Sequence, residues 1–166
     1  MLSHRLSLNQ LLDTGLVFLE NCANFLNRVA DDSPESELTG TLQAMALEVG
    51  SRRKKLSDYQ RRRQAQVRDD RKSVISAEQS GLLQSLEKLP IFRKPGIGES
   101  LADRVVSRIE AQERASHYSL LGFAYFELLR QVTRGRLRKL SGDIKLTMML
   151  CTTKAVGIAA ISRGNP

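Results

Sequence analysis

From Leu8 to Val29, apolar residues recur at spacings of three and four: Leu8, Leu11, Leu12, Gly15, Phe18, Leu19, Cys22, Phe25, Leu26 and Val29. That period is the signature of one face of an α-helix. Asp13, Glu20 and Asn27 fall on the opposite side. Across 166 residues there are only 11 Gly and 4 Pro, and they cluster, so long stretches are free to stay helical. A chain of this length fits one domain, residues 1–166, burying roughly 70% of its unfolded surface.

The same pattern divides the rest of the chain. The first helix spans about residues 6–30. Ser33 can cap the next, with Pro34 in its first turn and Glu35 and Glu37 at its positive end. This second helix, about 34–68, carries Leu38, Leu42, Met45, Val49, Leu56 and Tyr59 on one face. Its apolar stripe stops at Tyr59, although nothing breaks the helix until about Asp69. In an antiparallel hairpin it is expected to outrun its partner there, by analogy of roughly 52 Å against 37 Å.

Ser76 and Gln79 have the spacing of a capping box opening a short helix over 76–89, stopped by Pro90. Pro90 to Gly98 reads as a loop pinned by Ile91 and Phe92. A third long helix, 99–134, is apolar nearly all round from Tyr118 to Leu129, as expected of a central, buried element. Gly135 breaks it, and Arg136, Arg138 and Lys139 form a smaller basic loop. Ser141 caps a last helix, 141–162, with Ile144, Met148, Cys151, Ala155 and Ile158 on one face. No strand pattern of period two is visible. The expected fold is all-α: four long helices in a bundle, with a long connection containing a short helix between helices 2 and 3.

Charge is concentrated. Residues Ser51 to Lys72 hold ten Lys/Arg against three Asp, which is +7 of a total net charge of +8. Arg52, Arg53, Lys54, Lys55, Arg61, Arg62, Arg63 and Arg68 are therefore candidate anion-binding residues. Three readings stay open: a polyanion site, a solvated helix face, or an interface meeting acids such as Glu99, Asp103 and Glu110. With Tyr59 as its one aromatic residue, the segment lacks stacking platforms, so nucleic-acid binding here would be non-specific and salt-dependent. Arg52 lies about 30° from the centre of its helix's own apolar stripe and needs a partner or water there.

The opening segment Leu8-Asn9-Gln10-Leu11-Leu12-Asp13 through Asn27 resembles the first helix of small bacterial ferritin-like proteins, and Leu38 to Tyr59 resembles their second. The resemblance implies a four-helix bundle, usually oligomeric, in many relatives with two metals between the helices. A di-iron centre takes inward carboxylates from two helices and Glu-x-x-His pairs from the others. The two histidines, His4 and His117, have no Glu three residues before them. Glu20 lies about 150° from its stripe, Glu48 flanks its own, and the last helix has no carboxylate after Asp143. The di-metal site is expected to be absent or degraded. Glu110, Glu113 and His117 share a face and form the remaining candidate metal group for Fe, Mn or Zn, or else a structural cluster with Arg114.

Other chemistries leave little trace. Hydrolase elbows, zinc-finger spacings and dinucleotide fingerprints are lacking. Gly96-Ile97-Gly98-Glu99-Ser100 reads as a helix start more readily than as a phosphate turn. Cys22 and Cys151 fall on apolar stripes and read as small buried hydrophobes of a reducing compartment. Lys145 and Lys154 interrupt the one candidate membrane segment, so no transmembrane helix and a cytoplasmic location are expected.

Together these features point to a non-catalytic binding or assembly protein, with a stress-related role in view. It is expected to be a homo-oligomer with no cofactor, using its basic end for nucleic acid or an acidic protein surface. The alternatives are a ferritin-like metal protein or oxidase with an atypical site, and a non-specific DNA-binding bundle.

Overall fold

The computed structural model describes residues 4–31, 36–66, 72–94 and 108–164. The fold is all-α apart from one small ribbon. In chain order the elements are β1 (His4–Ser7), α1 (Leu8–Asp31), α2 (Ser36–Gln66), β2 (Lys72–Ile75), α3 (Ala77–Glu87), α4 (Arg108–Val132) and α5 (Gly135–Gly164). A 3-10 turn, Pro90–Phe92, follows α3. The expected Ser33 cap, the Gly96–Ser100 turn and the 99–107 start of the third long helix lie outside the described residues, as do the side chains of Leu38, Ala155 and Ile158.

α1 pairs with α2, and α4 with α5; across the pairs, α1 meets α4 and α2 meets α5. Named contacts give each direction. Thr39 bonds the Ala30 carbonyl, and Gln60 at the other end of α2 bonds Asp13, so α1 and α2 are antiparallel. Tyr125 meets Leu11, whereas Tyr118 meets Phe25, so α1 and α4 are antiparallel too. α4 and α5 likewise run in opposite directions, a hairpin turned at residues 133–134. One buried cluster draws on all five helices, with Phe18, Leu19, Leu56, Leu83, Phe126, Leu129, Ile144 and Met148 wholly enclosed. Burying each such side chain contributes roughly 1.5–3 kcal/mol.

The α1 stripe is buried as its spacing predicts, from Leu11 to Ala30. The capping box also forms: the Gln79 amide donates to Ser76 Oγ at 3.1 Å, and the Ser76 amide donates to Gln79 Oε1 at 3.2 Å. Ile91 and Phe92 do pin the loop after α3. Phe92 stacks on Phe18 with centroids 4.7 Å apart, and Asn21 Nδ2 donates to the carbonyls of Ile91 and Arg93, each at 3.0 Å.

Four expectations are corrected. A strand pair exists: β1 runs antiparallel to β2, with His4 opposite Ile75 and Ser7 opposite Lys72. Four residues per strand are too few to show a period of two, so the ribbon left no signal in the sequence. Secondly, α2 does not overhang α1 at Tyr59. It stays in register as far as Arg63, whose guanidinium donates to Asn9 at 2.9 Å, while Gln60 donates to Asp13 at 2.7 Å. Polar pairs continue the helix contact where the apolar stripe ends.

Thirdly, the last helix begins at Gly135, not at Ser141, so Arg136, Arg138 and Lys139 lie in its first turns and not in a loop. Gly135, read as a break, is what set them in a loop, and basic residues at a helix N-terminus oppose the dipole. Here Arg138 sits beside the negative C-terminal end of α4, where its Nε donates to the carbonyls of Arg130 and Thr133. Gly135 at φ +62° supplies the left-handed residue that lets two helices join across so short a link. Ser141 is a fully buried mid-helix residue, not a cap. Fourthly, α4 is not buried all round: Leu120 is 52% exposed.

Three helices converge at Gly122. A Cβ there would lie 2.5 Å from the Phe18 ring and 2.7 Å from Met148 Sδ. Phe18 is wholly buried and stacked on Phe92, so it has little room to retreat. Gly122→Ala is expected to destabilise the protein by about 1–3 kcal/mol through overpacking, despite the better helix propensity of Ala. Chemical denaturation should show a lower midpoint with an unchanged slope; wild-type stability would contradict this packing.

Candidate functional site: a basic cleft between α2 and α5

Among the described residues, the basic segment does not present one continuous cationic track. Arg52 reaches across to α5, where its Nε donates to Thr147 Oγ1 at 2.9 Å, and its guanidinium lies 3.6 Å from Glu48. Arg53 pairs with Glu20 at 3.5 Å, Arg61 with Asp58, and Arg63 with Asn9. The partner that Arg52 requires on its apolar face is therefore a hydroxyl of the neighbouring helix. Glu20 and Glu48 are both about half exposed, facing away from the core as their helical angles predict. Arg68, together with the proposed partners Glu99 and Asp103, lies outside the described residues.

Lys54, Lys55 and Arg62 remain, each exposed. Lys55 and Arg62 belong to a shallow cleft of about 300 Å³. On α2 its lining is Lys55, Asp58, Tyr59 and Arg62; on α5 it is Arg136, Lys139, Leu140 and Asp143. Both sets follow the spacing i, i+3, i+4, i+7 that keeps side chains on one helix face. Each contributes two cations, one carboxylate and one half-buried apolar residue to the floor. The Arg52–Thr147 bond marks the antiparallel register. It carries Arg62 towards Arg136 and Lys55 towards Asp143.

Two basic segments separated by about 80 residues thus meet in one place. Arg136 and Lys139 read from the sequence as a loop, and Asp143 as an early residue of the last helix, so none is marked there as a partner of the α2 cations. The matching i, i+3, i+4, i+7 spacing of 136–143 was the available signal, but only the packing of α2 on α5 makes it meaningful.

The other candidate group is less concerted. Glu110 is held by Arg114 at 2.7 Å, and both Glu113 and His117 are exposed on α4. Among the described residues no three His, Cys, Asp or Glu side chains are gathered to hold a metal ion. Cys22 and Cys151 are free thiols, 1% and 3% exposed. Burial, and then the proximity of Cys151, pushes the Cys22 thiol far above its ordinary range, so it is unreactive as a nucleophile. No described helix is long and apolar enough to cross a membrane.

A polar network braces α5 from the α4 side. Glu127 accepts from Arg130 at 2.7 and 2.9 Å, from Lys145 at 2.6 Å and from Gln131 at 3.2 Å. Gln131 in turn accepts from Gln79 of α3 at 3.0 Å, and Lys145 lies 5.2 Å from the centre of the Phe123 ring. The Arg130 bonds, followed by those from Lys145 and Gln131, hold the Glu127 carboxyl down at about 2 against partial burial, which acts to raise it.

No protein-family model matches this chain, and comparison with curated proteins and with solved structures finds no match.

Because the Glu127 carboxyl is depressed on folding, its contribution to stability is full above the unfolded value near 4.5 and is lost as pH falls through about 2. Carboxyl NMR should show Glu127 titrating near pH 2. The wild type should lose stability relative to Glu127→Gln as pH falls from about 4.5 to 2. Titration of Glu127 at the ordinary glutamate value would refute the network.

Proposed function

We propose that this is a non-catalytic helical-bundle protein that binds an anionic partner through the α2–α5 cleft. The observation that carries this reading is the convergence of Lys55, Arg62, Arg136 and Lys139, exposed and without ion-pair partners among the described residues, on one concavity. Arg52, Arg53 and Arg61 of the same segment are matched by Glu48, Glu20 and Asp58, and Lys54 is exposed outside the cleft lining. With four cations against Asp58 and Asp143, the concavity keeps a net positive charge, which focuses its field and attracts anions from solution.

The architecture we assign is a four-helix bundle of ferritin-like layout. Two helical hairpins, a long connection between them and antiparallel neighbours support that assignment. Homo-oligomerisation and a cytoplasmic location belong to the same proposal. For self-association the support is Leu120 on α4 and Leu146, Met149 and Leu150 on α5, each about half exposed. Light scattering at micromolar concentration should report an oligomer, and Leu146→Lys with Leu150→Lys should shift it towards monomer. A wild-type monomer would end the assembly part of the reading.

The anion-binding part separates cleft residues from their neighbours. Reversing Lys55, Arg62 and Lys139 to Glu is expected to abolish heparin retention without loss of helicity, because these side chains are exposed. Each cation neutralised should lower the salt slope by about one. Arg52→Met should behave in the opposite way, leaving retention unchanged while costing about 1 kcal/mol of stability for the lost Thr147 bond. Unchanged retention in the triple reversal would reject the cleft as the binding surface.

A further inference from the structure

The cleft has two unlike ends. In the register marked by Arg52 and Thr147, Arg62 faces the start of α5, where Arg136 and Lys139 project. Among the described lining residues no carboxylate lies beyond them at that end. The other end combines Lys55 with Asp143, and Asp58, paired with Arg61, lies between the two ends. Along α2, Lys55 and Arg62 are separated by seven residues, roughly 10 Å of helix rise. Tyr59 and Leu140 lie between the ends and are half-buried against the core, forming an apolar floor.

A bare polyanion gains from the cationic end but is repelled by Asp143. A phosphodiester polymer has the same difficulty, since every stretch of it that crosses the cleft presents further phosphates to the acidic end. It would also need cations along a track, and Arg61 beside the cleft is already occupied by Asp58. The ligand that satisfies both ends has phosphate at one side and hydroxyl or amino donors roughly 10 Å away, with a flat or apolar middle. Asp143 has no hydrogen-bonding partner for its carboxylate among the described residues, so it can accept from those donors.

We propose, resting on the anion-binding reading above, that the α2–α5 cleft is a site for a small phosphate ester of the nucleotide class. Arg62, Arg136 and Lys139 hold its phosphates, Asp143 accepts from its hydroxyl or amino groups, and Tyr59 lies against its ring.

Calorimetric titration of the full chain with ADP and with inorganic pyrophosphate tests this, alongside fluorescence anisotropy with a labelled duplex oligonucleotide. ADP is expected to bind one to one and about tenfold more tightly than pyrophosphate, the worth of one charge-assisted hydrogen bond. Asp143→Ala should weaken ADP by about that factor while leaving pyrophosphate equal or tighter, because it removes an acceptor and a repulsion together. Arg136→Gln with Lys139→Gln should weaken both ligands. Opposite responses of the two ligands to one substitution cannot come from a general loss of structure, and thermal unfolding of each variant verifies the fold.

The proposal is overturned if ADP binds no better than pyrophosphate, or if Asp143→Ala moves both ligands in the same direction. Binding of the duplex and heparin without ADP also overturns it, while leaving the broader anion-binding reading intact. No binding of any probe, heparin included, removes both.

Discussion

The close approach of α1, α4 and α5 at Gly122 is the constraint on which the rest of the structure depends. A hydrogen in place of a methyl group lets the Phe18 ring and the Met148 thioether occupy the same level of the core. Phe18 in turn carries Phe92, and Phe92 also lies 5.2 Å from Tyr125. This aromatic stack fastens the connection after α3 onto both hairpins. Tyr125 completes it by donating its hydroxyl to the Leu11 carbonyl at 2.7 Å, so the one polar atom of that ring is satisfied where water is excluded. Burial, and then the charge of Glu87, pushes that phenol well above its ordinary range, so it stays a donor.

With α5 held to α4 in this way, its opposite flank meets α2. Arg52 and Thr147 bond across that contact, and the Glu127 network braces α5 from the other side. The cleft lies on the register that the packed core imposes. Its cations come from two segments whose charges repel one another, and no lining carboxylate neutralises Arg62, Arg136 or Lys139 directly. Core packing elsewhere, of order a few kcal/mol per buried aromatic residue, is what holds such a surface together. A stable scaffold that concentrates unmatched charge is consistent with a binding role for that charge.

Much of this was legible along the chain. The α1 stripe, the outward position of Glu20, the Ser76–Gln79 cap and the anchoring of Ile91 and Phe92 each depend on residues within a few turns of one another. Local geometry decides them. Arg52 was legible in part: its helical angle showed that it needed a partner, but Thr147 lies 95 residues away. The strand pair and the continuation of α2 past Tyr59 were illegible for a different reason. One is too short for a periodic signal, and the other is held by Asn9 and Asp13, polar residues that a hydrophobic stripe does not count.

The start of α5 shows most clearly where sequence reasoning stops. A glycine and cations that oppose the helix dipole both argue locally against a helix at Arg136 and Arg138. In the folded chain Arg138 instead donates to the Arg130 and Thr133 carbonyls at the end of α4. By itself, then, the sequence determined that the chain is helical, which faces are apolar, and that its excess charge lies in one segment. Those properties follow from period and composition. The tertiary structure alone decided which of the cations are matched within the chain and which are left to converge. Pairing across helices depends on register, and register is a property of the packed core.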